Sequence, residues 1–230
     1  MGADDFTGRA KAYTEARPGY PYEVMEYIRS LSPPDAIIAD IGAGTGKFTV
    51  LLAQRGYEIF AVEPNDDMRG FLRENLAPFP KVKIIDGAAE ATTLPERCVD
   101  VITSAQSLNW FDIDAFRVEC GRIGKPGVLV IVVYNYSSAE DHGSPSRYEK
   151  STGALFYNPV VREFSNPIRF TREKWLLYLS SMAGVPQPTD PGYEKFFSEM
   201  NEKFDRESAA GVLCLDMVTK VYCERLRAML

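Results

Sequence analysis

Two carboxylates and three glycines carry the first chemical signal in this chain. Asp40 closes a short apolar run and leads into Gly42-Ala43-Gly44-Thr45-Gly46-Lys47, and Glu63 closes the next apolar run. Glycines at this spacing let backbone approach a ligand closely, because glycine accepts the open φ/ψ values that a tight turn requires. An acid ending the following strand is placed to accept the two hydroxyls of a ribose. Strand, glycine turn, helix, strand and acid form the first half of a nucleotide-type site.

Three ligand chemistries compete for that site. A phosphate-cradling loop needs G-x-x-x-x-G-K-[ST], and Gly46-Lys47 supplies its centre. Ile41, however, stands at the first glycine, and Phe48 replaces the hydroxyl that would hold magnesium. A dinucleotide turn needs G-x-G-x-x-G. Gly42 and Gly44 fit, but Lys47 occupies the third glycine position, where close helix packing is required. The third chemistry is S-adenosylmethionine, which has no phosphate. Its amino-acid tail needs a loop that backbone can approach, and its ribose needs an acceptor such as Glu63. An NAD ribose has the same need, so Glu63 alone does not separate the two.

The elements that must position these residues follow from periodicity. Apolar residues at helical spacing predict a helix from Tyr22, ended by Pro33-Pro34. Strands are predicted at 36–41, 58–62, 82–86, 99–103 and 128–134, with helices after Gly46, Asn65 and Asp112. Strands alternating with helices imply a parallel sheet covered on both faces, with the ligand edge where the strands end. Beyond Tyr136 the rhythm changes. A short strand is predicted at 164–171, helices at 173–182 and 193–204, and one long final strand at 211–223. One domain over 1–230 is expected: an N-terminal lid and first helix (1–30), a cofactor core (36–135), an acceptor-side lid or insert (137–210) and the final strand region (211–230).

Composition narrows the partners. The 230 residues are 45% hydrophobic and 25% charged, with a net charge of −6 and no block of Lys/Arg. Nucleic acid is therefore not an expected partner. The four cysteines lack a C-x-x-C pair, no metal site is expected, and reduced, mostly buried thiols are the simplest reading. Residues 1–5 lack the basic and apolar regions of a signal peptide, and the longest apolar run, 128–133, is far too short to span a bilayer. The expectation is a cytoplasmic monomer or homodimer with no membrane partner.

Over residues 10–135 the chain resembles class I S-adenosylmethionine-dependent methyltransferases of the small-molecule type, which include trans-aconitate-like and ubiquinone-pathway-like enzymes. Asp40 to Gly46 is similar to that family's glycine motif, and Val62-Glu63-Pro64-Asn65-Asp66-Asp67-Met68 to its second motif. Asp86-Gly87-Ala88-Ala89-Glu90 resembles the adenine-side motif, and Gln106 to Phe111 the motif after the fourth strand. Gly121 to Val128 resembles the turn into the fifth strand, and Tyr13 with Arg17-Pro18-Gly19-Tyr20-Pro21 the N-terminal lid. The resemblance implies a Rossmann-like, seven-stranded, mostly parallel sheet with a final antiparallel strand, helices on both faces, and S-adenosyl-L-methionine as cofactor, converted to S-adenosyl-L-homocysteine. One departure is Asn109, where many relatives have histidine before Trp-Phe.

The candidate cofactor residues are Tyr13, Arg17, Gly42, Ala43, Gly44, Gly46, Glu63, Pro64, Met68, Ala88, Ala89, Glu90, Gln106 and Ser107. Arg17 is a candidate partner for the donor's carboxylate. Asp40 either orients the loop or touches the donor. Glu90 either meets adenine or starts a helix. Met68, Trp110 and Phe111 either wall a pocket or pack the core. Trp110, Phe111, Asn135 and Tyr136 are the acceptor-pocket candidates, and an acceptor cover is expected from Tyr148, Phe156, Tyr157, Trp175, Tyr178, Tyr193, Phe196 and Phe197. No catalytic base stands out. His142, the only histidine, Tyr134 and Asn109 are the weak candidates. The function implied is methyl transfer to an oxygen, nitrogen or carbon of a small molecule. The alternatives are an NAD-dependent oxidoreductase and a non-catalytic cofactor-binding protein of the same fold.

Overall fold

A computed structural model describes residues 10–137, 146–182 and 184–226. Five parallel strands lie in the order β3 (Val82–Ile85), β2 (Glu58–Val62), β1 (Ile37–Ile41), β4 (Val99–Ala105) and β5 (Gly124–Ser137). Strand β9 (Met217–Arg225) runs antiparallel to β5, and β6 (Val160–Ser165) pairs antiparallel with β9 at the sheet edge. The sheet is seven-stranded and mostly parallel, with the antiparallel closing strand expected.

Side-chain alternation explains the unbroken apolar runs. In β5, Leu129, Ile131 and Val133 pack on one face with α2 (Tyr22–Leu31) and α3 (Lys47–Ala53). Val128, Val130, Val132 and Tyr134 pack on the other with α5 (Ile113–Ile123). Because both faces are buried, every position along the strand must be apolar. Helix α4 (Asp66–Leu76) covers the α3 side through Leu72 and Leu76 against Ala61.

Several sequence expectations need correction. Between β3 and β4 there is no helix. The connection is an irregular loop whose Thr92 N–H and hydroxyl both donate to buried Glu119 on α5, 2.8 Å from the amide. Glu90 therefore starts no helix. The single final strand is two strands, β8 (Val212–Leu215) and β9, parted at Asp216. Strand β8 pairs with β7 (Ile168–Thr171) in a separate two-stranded sheet. The predicted strand at 164–171 likewise divides into β6 and β7, and β6 belongs to the main sheet rather than to a lid. These segments switch sheets, which a two-residue periodicity does not reveal.

The late helices α7 (Arg172–Ser180) and α8 (Tyr193–Glu207) close over the β7–β8 pair in a second small core of Phe170, Trp175, Tyr178, Leu179, Phe204 and Leu213. Helix α6 (Arg147–Leu155) opens with a capping box between Ser146 and Glu149. Among the cysteines, Cys120 and Cys223 are buried, Cys98 is half-buried and Cys214 is exposed; all are free thiols. Among the described residues no helix is long and apolar enough to cross a membrane.

Candidate active site

The chain leaves β1 through a turn in which Gly42, Gly44 and Gly46 all hold positive φ. The amides of Gly42 and Ala43 both donate to the Val62 carbonyl at the end of β2, 2.9 and 3.0 Å away. A Cβ on Gly42 would stand 2.6 Å from Ser107 Cβ, so glycine is required there for close approach of the β4 loop. A Cβ on Gly44 would meet nothing within 4 Å and would project into open space beside the turn.

Asp40 lies beneath this turn, fully buried. Its two carboxylate oxygens accept from the hydroxyls of Thr49 on α3 and Thr103 on β4, at 2.6 and 2.7 Å. It clamps the glycine-turn helix to the neighbouring strand, rather than accepting the loop amides. Burial raises its pKa to about 6, and the two threonine bonds oppose that rise.

Glu63 is also buried. It accepts from the Gly44 amide at 2.8 Å and the Asn65 amide at 2.9 Å, so the acid at the end of β2 is bonded directly to the glycine turn. Burial pushes its pKa up against those two bonds. Arg69 on α4, only 4% exposed, carries a role that its sequence position did not show. It donates to the Glu63 carbonyl at 2.8 Å and pairs with Asp66 and Asp86. It ties the ends of β2 and β3 to α4. An arginine within a helical run reads as solvated, so only the register of the two strand ends could have exposed this function.

A cavity of about 300 Å³ opens above these groups, within the size range of small-molecule sites. Gly42, Gly44, Glu63 and Pro64 line it from just beyond the first two strands, and Met68 from the first turn of α4. Ala88, Ala89 and Glu90 line it from the β3 loop. Gln106, Ser107, Trp110 and Phe111 come from the loop after β4, and Tyr13 from helix α1 (Ala10–Ala16). The loop ends of four parallel strands thus converge at the edge where the strand order reverses, as the topology requires. Among the predicted residues outside this lining, Ala43 faces a small cleft at the turn with Asp40 and Lys47, and Gly46 caps α3. Glu90 accepts from the Asp112 amide at 2.7 Å. The Ser107 hydroxyl donates to the Ile41 carbonyl at 3.0 Å, so its first task is to fix the loop.

Residues 39–132 match the family model described as a methyltransferase domain. Over these residues the chain is similar to class I methyltransferase domains. An uncharacterized methyltransferase of Mycobacterium tuberculosis is 34% identical over 130 residues, covering 56% of this chain and 51% of the relative. The chain spans about half the length of the curated relatives it matches. Among solved structures, a putative type II methyltransferase from Anaeromyxobacter dehalogenans shares the fold with TM-score 0.68 and 23% identity, over 93% of this chain and 99% of that one. A geranyl diphosphate C-methyltransferase of Streptomyces coelicolor A3(2) shares it with TM-score 0.52 and 15% identity, over 89% and 77% of the two chains.

Beside this cavity lies a second chamber of about 160 Å³, and the two share Tyr13, Gln106 and Trp110 as walls. Arg17, Pro18, Lys47, Asn135, Tyr148 and Tyr178 line it. Arg17 therefore sits here and not in the larger cavity. Its guanidinium donates to the Ser181 carbonyl at 3.1 Å and lies over the rings of Tyr13 and Tyr178. Asn135 reaches the chamber with its amide already engaged. It donates to the Gly19 carbonyl and accepts from Thr219 and Asn166, pinning the N-terminal segment to β9.

Other acceptor and base candidates are placed elsewhere. The Tyr136 hydroxyl bonds Tyr222 at 3.0 Å inside the core and lines neither chamber. Tyr134 is fully buried, with desolvation pushing its hydroxyl well above the usual range, so it is not presented to a ligand. The side-chain amide of Asn109 is enclosed without a hydrogen-bond partner and lines neither chamber. His142 lies outside the described residues. Of the expected aromatic cover, only Tyr148 and Tyr178 reach the chamber. Phe156 joins the main core, Trp175, Phe196 and Phe197 join the second core, Tyr193 stacks on Phe197, and Tyr157 is exposed. Among the described residues no group of three His, Cys, Asp or Glu is placed to hold a metal ion.

Proposed function

We propose that this chain transfers a methyl group from S-adenosyl-L-methionine to a small-molecule acceptor. The observation that carries the reading is the bonded pair of Glu63 and Gly44: a buried carboxylate at the cavity wall, beside a glycine whose missing Cβ leaves the cavity open. The residues present fit this cofactor. Glu63 is placed to accept the ribose hydroxyls. The turn at 42–46 leaves backbone bare for the amino-acid tail, and the small side chains of Ala88 and Ala89 with the thioether of Met68 suit an adenine face.

Bound there, S-adenosyl-L-methionine supplies a methyl carbon on a sulfonium, already a strong electrophile. The protein's share is then to hold the acceptor in line, exclude water and, for a protonated acceptor, take a proton. Gln106, Tyr13 and Trp110 stand where the two chambers meet, and there the acceptor would face the donor. The S. coelicolor enzyme that shares the fold was solved with S-adenosyl-L-homocysteine, which supports the same donor here.

Isothermal titration with S-adenosyl-L-methionine, S-adenosyl-L-homocysteine and NAD tests the cofactor. Both sulfur compounds should bind and NAD should not. Binding of NAD alone would transfer the site to hydride chemistry. Label transfer from tritiated-methyl donor to a panel of acids, phenols and amines then separates an enzyme from a binding protein.

A further inference from the structure

The two neighbouring chambers differ sharply in charge. Both acids that line the larger one, Glu63 and Glu90, lie on its β2–β3 side. The smaller chamber has no acid among its described lining residues but has three cations: Arg17, Lys47 and Arg147. Among the described residues none of the three forms an ion pair. The Arg17 guanidinium meets a carbonyl and two aromatic rings, the Lys47 amine donates to the Arg17 carbonyl, and Arg147 meets the Tyr148 hydroxyl. Burial, and then the neighbouring Arg17, pull the Lys47 amine below its usual range.

The half-buried Arg17 and Lys47 repel one another unless an anion joins them, and Arg147, itself exposed to solvent, adds a third positive charge to the same lining. A bound sulfonium would add one more positive charge at the same junction. The three are also divided in position. Lys47 opens onto the small cleft at the glycine turn as well, beside Gly42 and Ala43, whereas Arg147 does not. Arg147 instead lies over Trp110 at 5.3 Å and Tyr148 at 5.0 Å.

We infer that the smaller chamber selects an anionic acceptor, a small molecule whose carboxylate or phosphate group pairs with Arg147 and Arg17 while its body packs against the chamber's remaining aromatic and apolar lining. A volume of about 160 Å³ restricts the acceptor to metabolite size. The planar guanidinium fork presents paired N–H donors, the geometry that bidentate binding of either anion requires, and the aromatic rings beneath Arg147 and Arg17 limit where each fork lies. The inference rests on the methyl-donor reading of the larger cavity.

The test uses the full chain saturated with S-adenosyl-L-homocysteine. Ligand-observed NMR is run on matched probes: benzoate, cinnamate and succinate, their amides, and phenyl phosphate. The acids or the phosphate should bind at least about tenfold more tightly than the amides, as expected for charge-assisted bonds. Arg147→Gln should remove that preference by a similar factor, Arg147→Lys should restore part of it, and affinity for S-adenosyl-L-homocysteine should stay within about twofold for both variants. Carboxylates bound in preference to phosphate, or the reverse, identify which anion the chamber takes. Amides binding as well as acids, no probe binding, or acid affinity unaltered by Arg147→Gln would each overturn the inference. So would Arg147→Gln weakening S-adenosyl-L-homocysteine instead, since that cation would then serve the donor's own carboxylate. Failure of S-adenosyl-L-homocysteine to bind the unmodified chain would instead sink the donor reading, which keeps the two failures distinct.

Discussion

Gly42 and Gly44 share a turn but answer to different constraints. At Gly42 an added methyl collides with Ser107, and positive φ strains any side chain, so Gly42→Ala should cost about 2 kcal/mol of stability. At Gly44 the fold bears only the φ strain, about 1 kcal/mol, but the methyl enters the cavity. Gly44→Ala should therefore lower S-adenosyl-L-homocysteine affinity more than it lowers the urea midpoint. Equal losses of binding and stability at both sites would show that the turn is only structural. Asp40 makes a separate prediction. Its pKa is raised to about 6 in the fold and returns to the ordinary carboxylate range when unfolded. From about pH 4 to pH 6 the folded chain keeps a proton that the unfolded chain has released, so this group's contribution to stability falls as pH rises and levels off above about 6. The fall amounts to about 3 kcal/mol, and Asp40→Asn should remove it. Urea titrations of both proteins across that window measure the difference, and parallel curves would refute it.

At the scale of elements, the β3–β4 connection shows how a loop becomes part of a site without a helix to hold it. Glu119 accepts from both polar groups of Thr92 and is paired with Arg122. Removing it leaves a buried amide and hydroxyl unsatisfied, so Glu119→Ala should cost about 2–3 kcal/mol. It should also weaken S-adenosyl-L-homocysteine binding, because Ala88 to Glu90 lie in the same loop, although Glu119 itself lines neither chamber. Unaltered affinity in a destabilised variant would separate the loop from the site. Such clasps mark where the sequence stopped being legible. Strands β1, β2 and β4 were readable because strong local signals flank them: apolar runs, glycine turns and a helix cap at Asn65 that bonds the Met68 amide at 3.0 Å. The clasps made by Glu119 and Asn135 were not, because both bond partners far off in the chain, nor was the pairing of Arg69 with Asp86 at the next strand's end, and residue type alone does not say which acid, amide or arginine will be buried. The break at Asp216 was hidden similarly. Residues on both sides of it have strand character, and only pairing to different sheets divides them.

Over the whole molecule, helix α1 is the piece that joins everything else. It packs against α7 of the second core and α4 of the main sheet, and its Tyr13 lines both chambers. The segment after it is tied down by Arg17 to the Ser181 carbonyl, by Lys47 to the Arg17 carbonyl, and by Asn135 and Asn166 to the Gly19 carbonyl. A donor in the larger cavity would thus contact the α1 face, and any gain in order there should pass through Arg17 to the end of α7. Ligand present at about 100 times its dissociation constant stabilises the folded state by about 2.7 kcal/mol, enough to slow exchange of any amide that opens only with the site. Hydrogen exchange with and without S-adenosyl-L-homocysteine should then show added protection at 42–46 and 86–90, where the ligand would touch, and also at 10–17 and 177–182, where it would not touch beyond Tyr13. Protection confined to the strand-end loops would mean that α1 and α7 move independently of the donor. In that case the wall between the two chambers would be set by the fold alone, and binding of the acceptor would not depend on whether the donor cavity is filled.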